Sequence, residues 1–112
     1  MIKVTIYENT HHEFTGFDAV GHAGYADAGS DIVCSAASTL IINTINAVDE
    51  FTDEKFTVDV NNDDDCNFIK FRFENKPEHD AVLLLKTMIL GLQTMEDNSE
   101  YNPYIDIIFE EV

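Results

Sequence analysis

The chain has 112 residues, of which 22 are acidic and six are basic, and its formal net charge is -16. This length suits one domain, residues 1–112, that buries a modest core without help from disulfides or metals. A surface this acidic repels phosphate backbones, which argues against direct nucleic-acid binding and favours a basic polypeptide partner. Solubility alone also accounts for an acidic surface.

The sequence also indicates where the protein resides. No uninterrupted apolar run approaches the ~20 residues that span a bilayer, and the first six residues alternate like a strand rather than forming a signal peptide. Its two cysteines, Cys34 and Cys66, have neither CxxC nor repeated metal-ligand spacing, which suits a reducing compartment. We therefore expect a cytoplasmic protein that needs no cofactor and does not associate with a membrane.

The first half of the chain predicts a hairpin followed by a helix. Ile2, Val4 and Ile6 alternate with polar positions, and a second alternating segment follows the turn-like residues 8–12. A helix of about five turns comes next, with Ser30 or Asp31 capping its first turn. Its predicted apolar stripe consists of Val33, Ala37, Leu40, Ile41, Thr44, Val48 and Phe51.

The second half repeats the pattern of two strands and a helix, and then adds one strand. The alternating residues of the second hairpin are Phe56, Val58, Val60, Ile69, Phe71 and Phe73. Pro77 opens the second helix, which ends near residues 97–99 and buries Ala81, Val82, Leu85, Met88, Ile89, Leu92 and Met95. The last strand contains Ile105, Ile107 and Phe109. The order ββαββαβ predicts an α+β fold, with two helices on one face of a mostly antiparallel five-stranded sheet.

His22 and Cys34 form the main candidate site. The histidine ends the second predicted strand and the cysteine begins the first helix, where unpaired amides make a thiol lose its proton more easily. A nearby imidazole completes an activated nucleophile. Glycines between the two residues predict a mobile loop that closes over substrate. By spacing alone, the alternative is a buried thiol with an unrelated loop histidine.

Two further residues are candidates for supporting roles. Asp31 is placed to cap the helix, and it is also a candidate to orient His22 or to contact substrate. On a helical wheel Cys34 falls at the border of the apolar stripe, and Ser38 lies one turn beyond it. A hydrogen bond from Ser38 to the thiolate or to substrate competes with a purely packing role.

Metal binding is not predicted. The acidic run Asp63-Asp64-Asp65 suggests a calcium loop, but Phe68 falls where such a loop needs glycine. His11 and His12 lie in a predicted turn without further ligands at suitable spacing, so we expect both to be exposed to solvent. Nothing marks Cys66 as reactive.

Three short stretches around the candidate pair carry a resemblance: Gly21-His22-Ala23, Gly29-Ser30-Asp31-Ile32-Val33-Cys34 and Ala36-Ala37-Ser38. Together with the length and the element order, they resemble the ribosomal-processing cysteine proteases, a family of small bacterial proteins. The resemblance covers essentially the whole chain. Positions 35 to 38 read Ser-Ala-Ala-Ser where relatives often carry Ala and Val, which is a mild departure.

The resemblance implies a specific activity. It implies an endopeptidase that removes a short N-terminal extension from ribosomal protein number twenty-seven of the bacterial large subunit, with Cys34 as nucleophile and His22 as acid-base partner. It also implies a homodimer. The substrate precursor is basic, which suits the acidic surface. Two alternatives remain at this point, namely a non-enzymatic acidic protein that binds a basic ribosomal protein, and a redox sensor that uses Cys34.

Overall fold

The helices and strands follow the predicted order. The structure is a computed structural model that describes residues 1–21, 28–62 and 67–112. Its elements are β1 (Ile2–Glu8), β2 (Phe14–Gly21), α1 (Ala28–Phe51), β3 (Phe56–Asn62), β4 (Asn67–Phe73), α2 (His79–Asp97), a short 3-10 turn (Asn102–Tyr104) and β5 (Ile105–Glu111).

The five strands form one sheet in the order β3-β4-β2-β1-β5. All neighbouring pairs are antiparallel except β1 and β5, which are parallel. A parallel pair needs a long crossover, and here α2 and the 3-10 turn carry the chain from the β4 side of the sheet back to β1. The predicted α+β fold with a mostly antiparallel sheet is confirmed.

The core lies between the two helices and one face of the sheet. Alternate residues of β1, β2 and β4 point into it, and Phe17 stacks on Phe71 with ring centroids 5.0 Å apart. Phe56 of the edge strand stacks on the other side of Phe71 at 4.9 Å. Such aromatic contacts add about 0.5–1.5 kcal/mol each beyond burial, so this cluster ties β2, β4 and β3 together.

Helix α1 begins earlier than the sequence predicts. Its first residue is Ala28, so Ser30 and Asp31 lie inside the helix and the prediction that one of them is the N-cap is wrong. The predicted stripe is otherwise largely confirmed, with Val33, Ala37, Ile41, Thr44 and Val48 buried. Phe51 is the exception, because it ends the helix beyond the sheet and is 73% exposed.

Helix α2 matches its prediction closely. It begins at His79, two residues after Pro77, and ends at Asp97. The predicted residues face the core, with Val82 and Met95 at the margin and a fully buried set of Ala81, Leu85, Met88, Ile89 and Leu92. A 3.6-residue period places these side chains on one stripe, which is why the sequence identifies them.

The composition of α1 raises a question about membranes. Residues Ile32–Phe51 have a mean hydropathy of 1.4, so this segment is long enough and apolar enough to cross a bilayer. The same segment supplies four buried side chains to the hydrophobic core, Val33, Ala37, Ile41 and Val48. Packing within this fold accounts for the apolar character of those positions, whereas Ile32, Ile42 and Phe51 are exposed.

The face of the sheet opposite the helices carries a polar cluster of Tyr7, Asp18 and Arg72. Arg72 donates to the Asp18 carboxylate at 2.8 Å, the Tyr7 hydroxyl donates to the same carboxylate at 2.8 Å, and the guanidinium lies over the Tyr7 ring. Burial works to raise the pKa of Asp18, but these hydrogen bonds outweigh it and hold that pKa below its ordinary value. The hydrogen bond to Asp18 raises the pKa of Tyr7.

The hairpin turn between β1 and β2 contains the two adjacent histidines. His11 and His12 are exposed, as predicted, and His12 has a φ of 60°. The Asn9 side chain accepts hydrogen bonds from the backbone of His11 and Glu13, which closes the turn. Within the described parts of the chain, no three His, Cys, Asp or Glu side chains converge on a common point.

Candidate active site

The Cys34 thiol lies where the end of β2 meets α1. Cys34 is a free, half-buried cysteine on the side of α1 that faces the sheet margin. A Cβ atom built on Gly21, the last residue of β2, would lie 3.3 Å from its Sγ. The end of β2 and helix α1 thus meet at the sulfur. In the chain they are separated by residues 22–27, which lie outside the described residues.

The sulfur and the end of β2 approach each other closely at Gly21. A Cβ atom at 3.3 Å is tighter than most such contacts, so a larger residue would displace the thiol or the strand end. Gly21 pairs with Ile2 in the sheet, so this end of β2 is held in place by the ladder. The missing side chain of Gly21 therefore lets the end of β2 approach the thiol closely.

The thiol does not lie in the first turn of its helix, contrary to the prediction. Cys34 is the seventh residue of α1, and the unpaired amides of a helix that begins at Ala28 lie about 5–9 Å from it along the axis. The field of a helix terminus falls off within the first turn. The amide of Cys34 itself lies within the regular helical hydrogen-bond pattern, so it is not a free oxyanion donor.

The structure brings together only part of the predicted site. Cys34 and Ser38 are one turn apart, are both half-buried and line the same groove, which confirms the position of the thiol at the border of the apolar stripe. Asp31 lies in the fourth position of α1, and the structure describes its backbone but not its side-chain surroundings. His22 and Cys66 lie outside the described residues.

An apolar groove of about 410 Å³ opens at the thiol. Its floor is formed by β2 and β4, one wall by α1 and the other by β3. The described residues that line it include Cys34, Ser38, Ile42, Ile45, Val58 and Val60. A second depression of about 570 Å³ lies at the far end of α1, but its lining is mostly charged and polar and includes no thiol among the described residues.

The apolar walls of the groove are residues that sequence reasoning did not assign to a site. Val58 and Val60 alternate with polar residues along the third predicted strand, and Ile42 lies beside the predicted stripe of α1. In the structure they are 38%, 51% and 49% exposed, respectively. Their alternation is the signal of an inward face, but whether a helix covers that face depends on the tertiary structure.

The arrangement has a clear chemical capacity. A free, half-buried thiol that lines an apolar groove is accessible to an extended chain that lies in the groove. A thiol of this kind serves as a nucleophile when a base takes its proton.

Sequence comparisons with known proteins agree with this geometry. Residues 1–106 match the profile of a family described as cysteine protease Prp. Ribosomal processing cysteine protease Prp of Staphylococcus aureus is 34% identical over 110 residues, which cover 98% of this chain and 100% of that protein. The Bacillus subtilis protein of the same name is 29% identical, with 91% of this chain and 93% of that protein covered.

Solved structures show the same fold. A Streptococcus mutans protein superposes with a TM-score of 0.86 at 25% identity over 100% of this chain and 99% of the other. The S. aureus protease in complex with a substrate peptide superposes with a TM-score of 0.80 at 34% identity, over 98% of this chain and 100% of the other. These relatives match along the full length, so the chain belongs to the cysteine protease Prp family and is a thiol-dependent peptide hydrolase.

Proposed function

We propose that this protein is the endopeptidase that removes the short N-terminal extension of ribosomal protein number twenty-seven of the large subunit, with Cys34 as nucleophile and His22 as acid-base catalyst. The observation that carries the proposal is the free Cys34 thiol at the mouth of an apolar groove. The S. aureus relative, named a ribosomal processing protease, has been solved with a substrate peptide and with a covalently linked product peptide.

The proposed chemistry needs only the two side chains and water. The His22 imidazole takes the proton of the Cys34 thiol, and the thiolate attacks the scissile carbonyl carbon to form a carbon–sulfur bond. The imidazolium then protonates the amine nitrogen as the carbon–nitrogen bond breaks. Water, deprotonated by the same imidazole, hydrolyses the thioester and releases the acid product together with the free thiol.

His22 follows Gly21 directly in the chain, and Gly21 borders the Cys34 sulfur. This chain position supports the assignment of His22 as the base. Asp31 as an orienting residue for His22 and Ser38 as a hydrogen-bond donor to thiolate or substrate remain parts of the proposal. The half-buried position of Ser38 in the same groove supports its part.

The acidic surface favours a basic substrate. With 22 acidic residues against six basic ones, the protein attracts a basic ribosomal precursor over distances up to the screening length. Cleavage of the full precursor should therefore slow as salt is raised, through the association rate. A short neutral peptide should be much less sensitive to salt.

The proposal includes the setting of the reaction. We place the enzyme in the cytoplasm, because of its composition and cysteine spacing, and propose that it needs no cofactor; we propose a homodimer because the family resemblance implies one. A shallow face of α1 that combines large apolar and small residues supports a protein contact there; it is formed by Ile32, Ser35, Ala36, Thr39 and the half-buried Leu40. Light scattering on the purified protein measures the oligomeric state.

The decisive experiment is cleavage of the host's own precursor. The purified enzyme is incubated with a peptide that spans the junction between extension and mature protein, and mass spectrometry identifies the products. One cut at the junction, absent with Cys34→Ala and His22→Ala, is the expected result.

Two outcomes separate the parts of the proposal. Cleavage of other peptides but not of the junction peptide would overturn the substrate assignment and leave the protease chemistry in place. Full activity of folded His22→Ala would remove the histidine from the mechanism. A non-enzymatic acidic binding protein would instead retain its biological effect after Cys34→Ala.

A further inference from the structure

The last strand leaves one edge of the sheet open. Among the described strands β5 pairs with β1 alone, so it forms one edge of the sheet. The N–H of Val112, directly after β5, donates to the Glu8 carbonyl of β1 at 2.8 Å. Because successive residues of a strand direct their backbone groups to opposite sides, the N–H and C=O groups of Ile107, Phe109 and Glu111 point away from β1.

A side chain occupies the first of these outward N–H groups. The N–H of Ile107 donates to the Glu96 carboxylate, near the end of α2, at 2.8 Å. The carboxylate oxygen takes the position that a carbonyl of a sixth strand would take, so it limits strand pairing at that end of β5. Within the described parts of the chain, the N–H groups of Phe109 and Glu111 meet no such side chain. The open part of the edge therefore runs from the Ile107 carbonyl to Glu111.

The side chains along this edge are mostly acidic. Asp106, Glu110 and Glu111 are three of the seven residues of β5, which has no basic residue. Glu110 and Glu111 are exposed, and the apolar ring of Phe109 beside them is 49% exposed. Edge-to-edge pairing of two copies would bring two sets of carboxylates together, and like charges on neighbouring strands are destabilising. The charges therefore favour a basic strand over a second copy of this chain.

The edge lies within reach of a chain that is bound at the thiol. Gly21, beside the thiol, pairs with Ile2, and Ile2 pairs with Ile105 at the start of β5. A strand spacing of about 4.8 Å and a rise of about 3.3 Å per residue place Phe109 about 16 Å from Gly21. An extended chain covers that distance in about five residues, so one polypeptide reaches both places.

We infer that the outer edge of β5 binds an extended basic segment of the substrate, about five or more residues away from the scissile bond. The segment adds to the sheet as a sixth strand, and its backbone pairs with Phe109 and Glu111. Its Lys or Arg side chains approach the carboxylates of β5, and their aliphatic parts lie on the Phe109 ring. The inference rests on the proposed function, because the ribosomal precursor is the basic chain that this function supplies.

Binding without cleavage tests the strand pairing. The Cys34→Ala variant is saturated with a peptide of about ten residues in which Lys alternates with Val, and amide hydrogen exchange is measured by NMR. Exchange at Phe109 and Glu111 should slow by about 10-fold or more, whereas Ile108 and Glu110, already bonded to β1, should change much less. A peptide with Glu in place of Lys should bind about 10-fold more weakly or worse.

Two substitutions at one position separate the backbone from the side chain. Phe109→Pro removes an N–H that points away from β1, so it leaves the N–H groups of the β1–β5 ladder in place. Phe109→Ala removes the ring and keeps the N–H. Phe109→Pro should bind the Lys peptide about 10-fold more weakly than Phe109→Ala does. Thermal unfolding verifies that both variants are folded, and equal affinities in the two would overturn the strand pairing.

Cleavage kinetics test the link to the substrate, and they do not depend on the proline variant. Glu110→Lys combined with Glu111→Lys should lower kcat/KM for the full ribosomal precursor by about 10-fold, mainly through KM, and leave kcat/KM for a short junction peptide unchanged. Asp49→Lys combined with Glu50→Lys makes the same change in net charge at the exposed end of α1. This control should reduce kcat/KM for the precursor much less.

The outcomes also distinguish this inference from the proposed function. Equal kcat/KM for the precursor in the two double variants, or slowed exchange confined to amides other than those of Phe109 and Glu111, would overturn the inference. Slowed exchange at these two amides without peptide, increasing with protein concentration, would assign the edge to a second copy instead. Slowed exchange with the Lys peptide, together with no cleavage of the precursor by the wild-type enzyme, would overturn the proposed function and leave a site for a basic strand at β5.

Discussion

The two edges of the sheet differ, although the same row of inward-facing residues crosses both. That row runs through Val60, Ile69, Ala19, Val4 and Ile107. At the β5 edge Ile107 packs against the core, next to α2. At the β3 edge Val60 is half exposed and borders the groove that leads to Cys34.

The contrast shows how this fold separates stability from chemistry. Five strands at about 4.8 Å spacing present a wider face than two helices cover while packing closely on each other. The helices leave Val58 and Val60, on the inner face of β3, 38% and 51% exposed. The core under α2 therefore holds the fold together, and the open end supplies the groove beside the thiol.

The largest expected effect is the loss of activity on the open side without a loss of stability. Cys34→Ala should reduce the rate of peptide cleavage by about 10³–10⁶-fold, because the nucleophile is removed. Its free energy of unfolding should stay close to the wild-type value, since the thiol is half exposed. Single-turnover cleavage and denaturant unfolding measure the two quantities. If Cys34→Ala cleaved peptide at a rate within 10-fold of wild type, the assignment of the chemistry to Cys34 on the open side of the sheet would be wrong.

The next effect is the reverse, a loss of stability on the covered side. Leu85, on the buried face of α2, is 0% exposed, and Leu85→Ala should lower the free energy of unfolding by about 2–5 kcal/mol through lost burial and a cavity. Leu83→Ala, two residues away on the exposed side of the same helix, is the matched control and should cost less than about 1 kcal/mol. Equal losses in the two variants would contradict the assignment of this helix face to the core.

A smaller effect is expected at Gly21, which lies at the boundary between the covered core and the open groove. Gly21→Ala places a methyl carbon 3.3 Å from the Cys34 sulfur, which is a crowded contact. Overpacking of this kind lowers the free energy of unfolding by about 1–3 kcal/mol. We expect slower alkylation of Cys34 by iodoacetamide and a lower kcat/KM. An unchanged alkylation rate in a folded variant would mean that the thiol has more room than the structure indicates.

The smallest effect concerns the opposite face of the strands that form the groove floor. Asp18 on β2 accepts a hydrogen bond from Arg72 on β4, and the pKa of Asp18 lies below its ordinary value. A lowered folded-state pKa stabilises the protein above the unfolded pKa, and this contribution disappears as pH falls through the lowered one. Asp18→Asn should therefore cost about 1 kcal/mol at neutral pH, since Arg72 is partly exposed.

Unfolding in denaturant at pH 7 and at about pH 2 measures this prediction, because the lower pH protonates the carboxylate in the unfolded chain and approaches the lowered pKa of the folded chain. The difference between Asp18→Asn and wild type should shrink at the lower pH. Asp53→Asn, which changes an exposed carboxylate in the loop after α1, should show no such trend. A difference that stays constant with pH would assign the effect to packing rather than charge.

Much of the fold could be predicted because it depends on local periodicity. The alternation of Ile2, Val4 and Ile6 and the helical stripe around Leu85 require only that each segment bury one face. The start of α1 could not be predicted in the same way. Capping residues at positions 30 and 31 suggested a later start, and the structure begins the helix at Ala28.

The candidate site likewise has one part that local sequence patterns predict and another part that they do not. Residue types and spacing predict His22 and Cys34 as the candidate pair, and the family match covers residues 1–106. The groove is different, because Val58 and Val60 carry the same alternation as core residues. Their exposure depends on where the helices lie over the sheet, which no local pattern encodes.

The sequence by itself determined the order of the elements, the buried faces of both helices and the stretches around His22 and Cys34, because each depends on neighbouring residues. The tertiary structure alone decided the strand order, the parallel pairing of β1 with β5, the approach of Gly21 to the thiol and the uncovered face of β3. Each of these depends on how segments far apart in the chain pack, and packing responds to the shape of the whole domain rather than to any local run of residues.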